Sequence, residues 1–153
     1  MTAQSVPQAL FVSLLAATLL WGGCSEEVVL DNAGTACLST SGDWPEGGQD
    51  FVADQPLTVV VRFDDCLSSS CDTNRQANCE ISMTGDRIVV TSTASYTDEG
   101  GAGSSCTTDC VVFETSCETP ALAEGDYTLV YGDEELAFHV GSPTGNYCVP
   151  PRS

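Results

Sequence analysis

The sequence has no lysine, four arginines and one histidine against 22 acidic residues, so its formal net charge is -18 at pH 7. The arginines are Arg62, Arg75, Arg87 and Arg152. A surface so poor in positive charge repels nucleic-acid phosphates and anionic lipid head groups, because binding to either depends on clustered basic side chains. The composition therefore excludes a nucleic-acid partner, and it predicts that any contact with a membrane does not use a basic patch.

The single histidine restricts the possible catalytic mechanisms, because a Ser-His-Asp or Cys-His enzyme would have to use His139. Leu136, Phe138 and Val140 alternate with the neighbouring residues, so we expect His139 on the solvent side of a strand. The chain also lacks the Cys-x2-Cys pair of a thioredoxin-like centre. These absences predict that the protein is not an enzyme.

The N-terminal segment is apolar from Ala9 to Trp21 and continues through Gly22-Gly23-Cys24-Ser25 to the first acidic residues. It is shorter than the roughly 20 apolar residues of a membrane-spanning helix and fits the hydrophobic region of a signal peptide. This pattern resembles the signal peptide of a bacterial lipoprotein, in which the cysteine is acylated and becomes the first mature residue. It differs by having no basic residue before Ala9, and by Trp21 where the lipoprotein pattern prefers leucine. An ordinary signal peptide cut nearby and an uncleaved anchor helix remain alternatives.

The lipoprotein resemblance implies a signal peptide over residues 1–23 and a lipid (palmitate) on Cys24. It implies export and a lipid anchor in the cell envelope, so the membrane would be reached through the lipid. Ser25 follows the cysteine, and by resemblance to enteric lipoproteins a serine here favours the outer membrane.

The cysteine count agrees with this interpretation, because the chain has nine cysteines and eight remain once Cys24 is assigned to the lipid. An even number in a small exported domain predicts a disulfide framework of up to four bridges. Two triplets of similar spacing lie within the set, Cys66, Cys71 and Cys79 in one and Cys106, Cys110 and Cys117 in the other, and their loops can be joined to each other or each to itself. The predicted disulfide residues are Cys37, Cys66, Cys71, Cys79, Cys106, Cys110, Cys117 and Cys148.

After residue 24 the chain shows no apolar repeat of helical period, and short β-branched runs alternate with turns. We therefore predict an all-β fold, a small disulfide-stapled immunoglobulin-like β-sandwich of about seven short strands. Residues 24–48 are expected to hold the acylated cysteine, a first strand and a loop over 31–48, residues 49–141 the sandwich core, and residues 142–153 a tail tied by Cys148. The predicted strands are Glu26–Leu30, Leu57–Phe63, Cys79–Met83, Arg87–Tyr96, Cys110–Thr115, Asp126–Tyr131 and Glu134–Val140.

Three short patterns in the mature domain resemble uncharacterised cysteine-rich envelope lipoproteins of the myxobacterial kind. They are Cys106-x3-Cys110, the stretch Cys117-Glu118-Thr119-Pro120-Ala121-Leu122, and the strand Gly125-x-Tyr127-Thr128. The resemblance implies an envelope location and supplies no activity.

Calcium is the cofactor that the acidic loops favour, because this ion takes several oxygen ligands from flexible loops. The candidate ligands are Asp64, Asp65, Asp98 and Asp133, although acidic loops also keep an exported domain soluble. Trp44 is expected either to pack against the domain edge or to serve as a ligand platform. The sequence thus predicts a non-catalytic envelope lipoprotein that needs no cofactor, with a β module that binds an envelope protein or a glycan or serves envelope structure. The alternative is a calcium-dependent adhesive or carbohydrate-binding module.

Overall fold

The computed structural model describes residues 25–100, 105–144 and 147–149. In these residues the chain forms eleven β-strands and no helix, which confirms the predicted all-β class. The strands are β1 (Glu26–Asp31), β2 (Thr35–Ser39), β3 (Gln49–Asp50), β4 (Thr58–Leu67), β5 (Asp72–Thr84), β6 (Arg87–Asp98), β7 (Val111–Glu118), β8 (Gly125–Tyr131), β9 (Glu134–Val140), β10 (Pro143–Thr144) and β11 (Cys148–Val149).

The first sheet contains β1, β5, β6, β8 and β9, with β6 at its centre. Antiparallel β5 pairs along the length of one edge of β6. The other edge is shared, because residues 87–90 of β6 pair with parallel β8 and residues 93–98 pair with antiparallel β1. Strand β9 then pairs with β8 as an antiparallel hairpin.

The second sheet is antiparallel throughout and has the order β11, β2, β4, β7, while β3 and β10 form a separate two-stranded ribbon. Strand β4 begins after Pro56, and its run Val59-Val60-Val61 is fully or almost fully buried. β-Branched side chains favour this extended, densely packed setting. Strand β2 lies beside it within the segment that the sequence predicted as a loop, so that prediction was wrong.

The two sheets face each other across one hydrophobic core, to which both contribute buried side chains. Phe51 meets Phe138 edge to face, with ring centroids 5.6 Å apart. Phe63 and Phe113 lie 5.2 Å apart at another point of the core. Each side chain of this size stabilises the fold by roughly 1.5–3 kcal/mol when it leaves water. The packing of two sheets with four disulfides confirms the predicted small disulfide-stapled sandwich.

The strand directions give the sandwich two ends. The end that holds the start of β1 (Glu26) and the ends of β6 (Asp98) and β4 (Leu67) is called the proximal end. A contact between Tyr96 and Asp65, at 3.4 Å, brings the two sheets together there. The opposite end, where β4 begins at Thr58, is called the distal end. This polarity determines which loops lie near the N-terminus and which lie far from it.

Candidate functional site

Cys24, the predicted lipidation residue, and residues 1–23 lie outside the described residues. The described chain begins at Ser25, and β1 begins at Glu26. Two residues of extended chain span at most about 7 Å. A lipid on Cys24 would therefore be held directly beside the proximal end of the sandwich, with almost no linker between them.

All eight cysteines predicted to form disulfides do so, in four bridges. The pairs are Cys37–Cys148, Cys66–Cys110, Cys71–Cys106 and Cys79–Cys117. The spacing left open whether each cysteine triplet bonds within itself or to the other. Every cysteine of the first triplet is bonded to one of the second. One bridge joins β2 to β11, and another joins β5 to β7 across the two sheets. The other two lie at the proximal end: one joins Cys66, near the end of β4, to Cys110, just before β7, and the other joins the loops that hold Cys71 and Cys106.

The bridged loops at the proximal end carry a cluster of hydroxyl groups around Thr107. Its Oγ1 lies 3.0–3.2 Å from the Oγ atoms of Ser68, Ser69 and Ser70. Thr107 donates a hydrogen bond to the Asp109 carboxylate, and this bond is the largest cause that lowers the pKa of Asp109 from 3.8 to about 2. These polar groups satisfy one another, so we interpret the cluster as a device that fixes the loops.

The structure does not bring the four calcium candidates together. Asp64 and Asp65 lie near the end of β4, and Asp98 ends β6, where its Oδ1 accepts a hydrogen bond from the Gly100 N–H at 2.6 Å. Asp133 lies in the turn between β8 and β9. The residue of β8 before this turn, Tyr131, pairs with Val90 in the first half of β6, so Asp133 is far from Asp98 at the end of that strand. Across the described ranges, no group of three or more His, Cys, Asp or Glu residues is arranged to hold a metal ion.

The acidic groups at the proximal end surround Tyr96 and contribute to raising its pKa. Partial burial, and then the charge of Asp65, raise the pKa of Tyr96 above its ordinary value. Asp72 and Asp98 add to this effect. A raised pKa keeps the phenol protonated, so Tyr96 acts there as a hydrogen-bond donor to Asp65.

His139 lies on the outer face of β9, as predicted, while its neighbours Phe138 and Val140 are buried. Its Nδ1 is 2.8 Å from Oδ1 of Asp126, the residue directly opposite on β8. The carboxylate side chain is 93% exposed, so this cross-strand pair lies in water-rich surroundings where ion pairs contribute little. The geometry is that of a surface pair on an open sheet.

Trp44 packs against the outer face of the second sheet. The Arg62 guanidinium lies 3.9 Å from the centroid of the Trp44 ring and also forms an ion pair with Glu114 at 3.2 Å. One face of the ring is therefore covered by a cation–π contact. Of the two expected roles, this arrangement favours packing against the domain.

A cleft of about 400 Å³ opens at the distal end. Its walls come from the turn after β2, from β3, from the segment before β4, and from the paired residues Thr58 of β4 and Glu118 of β7. Val52 lies in this cleft and is 56% exposed. Its polar lining consists of Thr40, Ser41, Asp50, Gln55, Thr58 and Glu118.

Sequence reasoning missed this distal cleft. Its lining residues come from three segments, residues 40–42, 50–58 and 118, and Glu118 is remote along the chain from the other two. The first of these segments belongs to the stretch that had been predicted as a loop without a strand. The only local signal was the cluster of turn residues after Ser39, which carries no information about Thr58 or Glu118.

Comparisons with protein-family models, with curated proteins and with solved structures find no significant match to this chain. In the part of the chain that the structure describes, no helix is long and apolar enough to cross a membrane. The features that bear on the function are therefore the disulfides, the position of β1 and the geometry of the surface.

Proposed function

We propose that this chain is an exported lipoprotein of a bacterial cell envelope, held in the outer membrane by a lipid on Cys24. Its mature part is a non-catalytic β module that binds an envelope protein or a glycan. The observation that carries this proposal is the complete pairing of the other eight cysteines into four bridges.

The pairing supports the proposal in two ways. Four structural disulfides in a small domain indicate an oxidising compartment, because reducing compartments keep thiols free. Each paired cysteine is also unable to bond to Cys24, so no other cysteine of this chain is left for it. A ninth cysteine at the position where a lipoprotein is acylated then has a chemical role that requires no disulfide partner.

The surface supports a binding role more than a catalytic one. His139 is the sole histidine and pairs with the exposed Asp126 on an open sheet face. General acid–base catalysis usually needs a group whose protonation is tuned by burial or by a close partner in a cleft. The geometry does not favour the calcium-dependent alternative, because Asp133 lies apart from Asp64, Asp65 and Asp98, which are at the proximal end.

The anchor is tested by replacing Cys24 with serine and separating membrane from soluble fractions. We expect the wild-type protein in the membrane fraction and the Cys24→Ser protein in the soluble exported fraction. Ser25→Ala is the matched control, because it alters the neighbouring residue and keeps the thiol, and it should remain in the membrane fraction. A Cys24→Ser protein that still sediments with membranes would refute the lipid anchor.

A further inference from the structure

We propose that the distal cleft is a binding site for a neutral glycan. This inference rests on the proposed role as a binding module and names the ligand class and the surface. Sugars are recognised by hydrogen-bonding groups that face their hydroxyls together with an apolar surface for their C–H faces, and the cleft offers both.

Four of the six polar side chains that line the cleft are available to a ligand. Among the interactions of the described residues, no hydrogen bond or ion pair involves the side chains of Asp50, Gln55, Thr58 or Glu118. Together they present two carboxylates, one amide and one hydroxyl, which supply several acceptors and three donor hydrogens. Such a set can both accept from and donate to the hydroxyl groups of a saccharide.

The apolar surface of the cleft comes from the exposed residues Val52 and Pro56, while the lining residue Leu57 is buried. Val52 is one of three large hydrophobic residues that are exposed in the described chain, at 56%. Burying its side chain under a sugar ring would remove apolar surface from water, which is favourable in proportion to the area covered. An exposed valine beside unpaired polar groups is therefore explained by a ligand that has both kinds of surface.

The charge of the cleft selects among sugars. Asp50 and Glu118 both lie in it, and the chain as a whole carries a formal net charge of -18. A uronic acid or a phosphorylated sugar would bring a like charge next to these carboxylates, and like-charge contacts disfavour the wrong partner. The fitting ligand is consequently uncharged.

The walls of the cleft are fixed before a ligand arrives. The N–H and the hydroxyl of Thr40 both donate to Oε1 of Gln49, each at 3.2 Å. The Leu57 N–H donates to Oγ1 of Thr119 at 2.9 Å, and the Thr119 N–H donates back to the Leu57 carbonyl at the same distance. A prearranged site loses less conformational entropy on binding, which favours affinity.

The location agrees with the proposed anchor. The cleft opens at the distal end, whereas Glu26 and the lipid position before it belong to the proximal end. A domain held by Cys24 would thus present the cleft away from its own membrane. A more open depression on the outer face of β8 and β9 is a weaker candidate, because His139 and Asp126 there already bond to each other.

The test is an NMR titration of the purified, isotope-labelled protein with the neutral disaccharides chitobiose, cellobiose and maltose, and with digalacturonate as an anionic comparison. We expect at least one neutral disaccharide to shift the amide signals of the cleft segments, with a Kd of about 1 mM or tighter. Digalacturonate should bind at least about tenfold more weakly, which corresponds to about 1.4 kcal/mol.

Variants locate the binding. Glu118→Gln keeps the shape of the side chain and removes the charge, so the loss of a charge-assisted bond should weaken binding about tenfold. Thr58→Val keeps the β-branched shape and removes the hydroxyl, and it should weaken binding severalfold. Gln76→Ala, on the outer face of the other sheet, is the control and should leave the Kd unchanged.

The inference is wrong if none of the neutral disaccharides shifts the cleft amides. It is also wrong if Glu118→Gln and Thr58→Val bind like the wild type, or if digalacturonate binds as tightly as the neutral sugars. The sugar titration and the membrane fractionation of Cys24→Ser test different proposals. A protein that is anchored in the membrane but binds no sugar refutes the glycan site alone. A soluble Cys24→Ser protein that binds sugar supports both proposals.

Discussion

Replacing Tyr131 with phenylalanine should destabilise the domain more than removing the serine hydroxyl that it contacts. Tyr131 and Ser92 are buried, with 2% and 3% of their surface exposed. The tyrosine hydroxyl donates to the Ala33 carbonyl at 2.5 Å, so its proton is used there. The Ser92 hydroxyl, 2.8 Å away, must then donate to the tyrosine oxygen. The Tyr131 hydroxyl thus links Ser92 of β6 to Ala33 in the connection between β1 and β2.

The size of each destabilisation depends on which buried groups lose their hydrogen-bond partners. Tyr131→Phe leaves the Ala33 carbonyl and the buried Ser92 hydroxyl unpaired, and an unsatisfied buried group costs about 1–3 kcal/mol. Ser92→Ala removes one hydrogen bond and leaves the bond from Tyr131 to Ala33 intact, so its cost should be about 0.5–1.5 kcal/mol. The double variant should cost less than the sum of the two, because it contains no orphaned serine hydroxyl.

The assay is urea unfolding of the oxidised protein, with the free energy of unfolding compared among the wild type and the three variants. Equal m-values would show that the variants differ in stability and not in the surface exposed on unfolding. The reasoning is refuted if Tyr131→Phe costs no more than Ser92→Ala, or if the two effects are additive.

Three further predictions concern the backbone, the disulfides and pH. Gly34 has a φ of 82°, and a Cβ there would lie 2.1 Å from the Arg62 carbonyl oxygen. Gly34→Ala should therefore lower the midpoint of urea unfolding far more than Gly85→Ala, whose Cβ would meet nothing within 4 Å; equal effects would contradict the close packing. Replacing both Cys71 and Cys106 with alanine should lower the free energy of unfolding by about 2–3 kcal/mol. A bridge that closes an isolated loop of this length would contribute roughly 4 kcal/mol. The expected loss is smaller because the neighbouring bridge Cys66–Cys110 already joins the same segments. Calorimetry checks this, and a loss of about 4 kcal/mol or more would show that the bridges act independently. The lowered pKa of Asp109 means that its stabilising effect is present above the ordinary pKa of 3.8 and is lost as the pH falls through about 2. The Tm difference between the wild type and Asp109→Asn should thus shrink between pH 4 and pH 2, and a constant difference would contradict the assignment.

Much of the fold is determined by local patterns that the sequence displays. The final hairpin was predicted over 126–140 and is observed over 125–140, because its alternating strands flank a Gly-Asp turn. The run from Leu57 to Phe63 is β-branched and follows a proline, and it forms β4. In such segments the side-chain period and the turn residues agree with each other, so no long-range information is needed.

Strand β2 was not predicted from the sequence because it lacks the alternating pattern of a half-exposed strand. Thr35 to Ser39 contains small residues that are buried on both faces, so it lacks the alternation of a half-exposed strand. Its partners, β4 and β11, are remote in sequence. The pairing of the cysteines could not be predicted for the same reason, since it depends on which loops the completed sandwich places side by side.

The candidate sites also divide into those that local sequence predicts and those that depend on the completed fold. The disulfide residues were predicted because an even count in an exported chain has a direct chemical meaning. The calcium candidates were chosen as acidic residues near turns, and the fold places Asp133 away from the other three, which lie at the proximal end. The distal cleft was invisible because Asp50, Thr58 and Glu118 become neighbours only when β4 pairs with β7 and β3 packs beside them.

The proposed lipid anchor and the disulfide framework are tested together by the intact mass of the membrane-extracted protein, measured before and after reduction. We predict a chain that begins at Cys24, carries the added mass of acyl groups, and gains two hydrogens on reduction for each of its four bridges. A mature chain without lipid mass, or one that retains residues before Cys24, would contradict the proposed anchor. A smaller gain on reduction would contradict the framework.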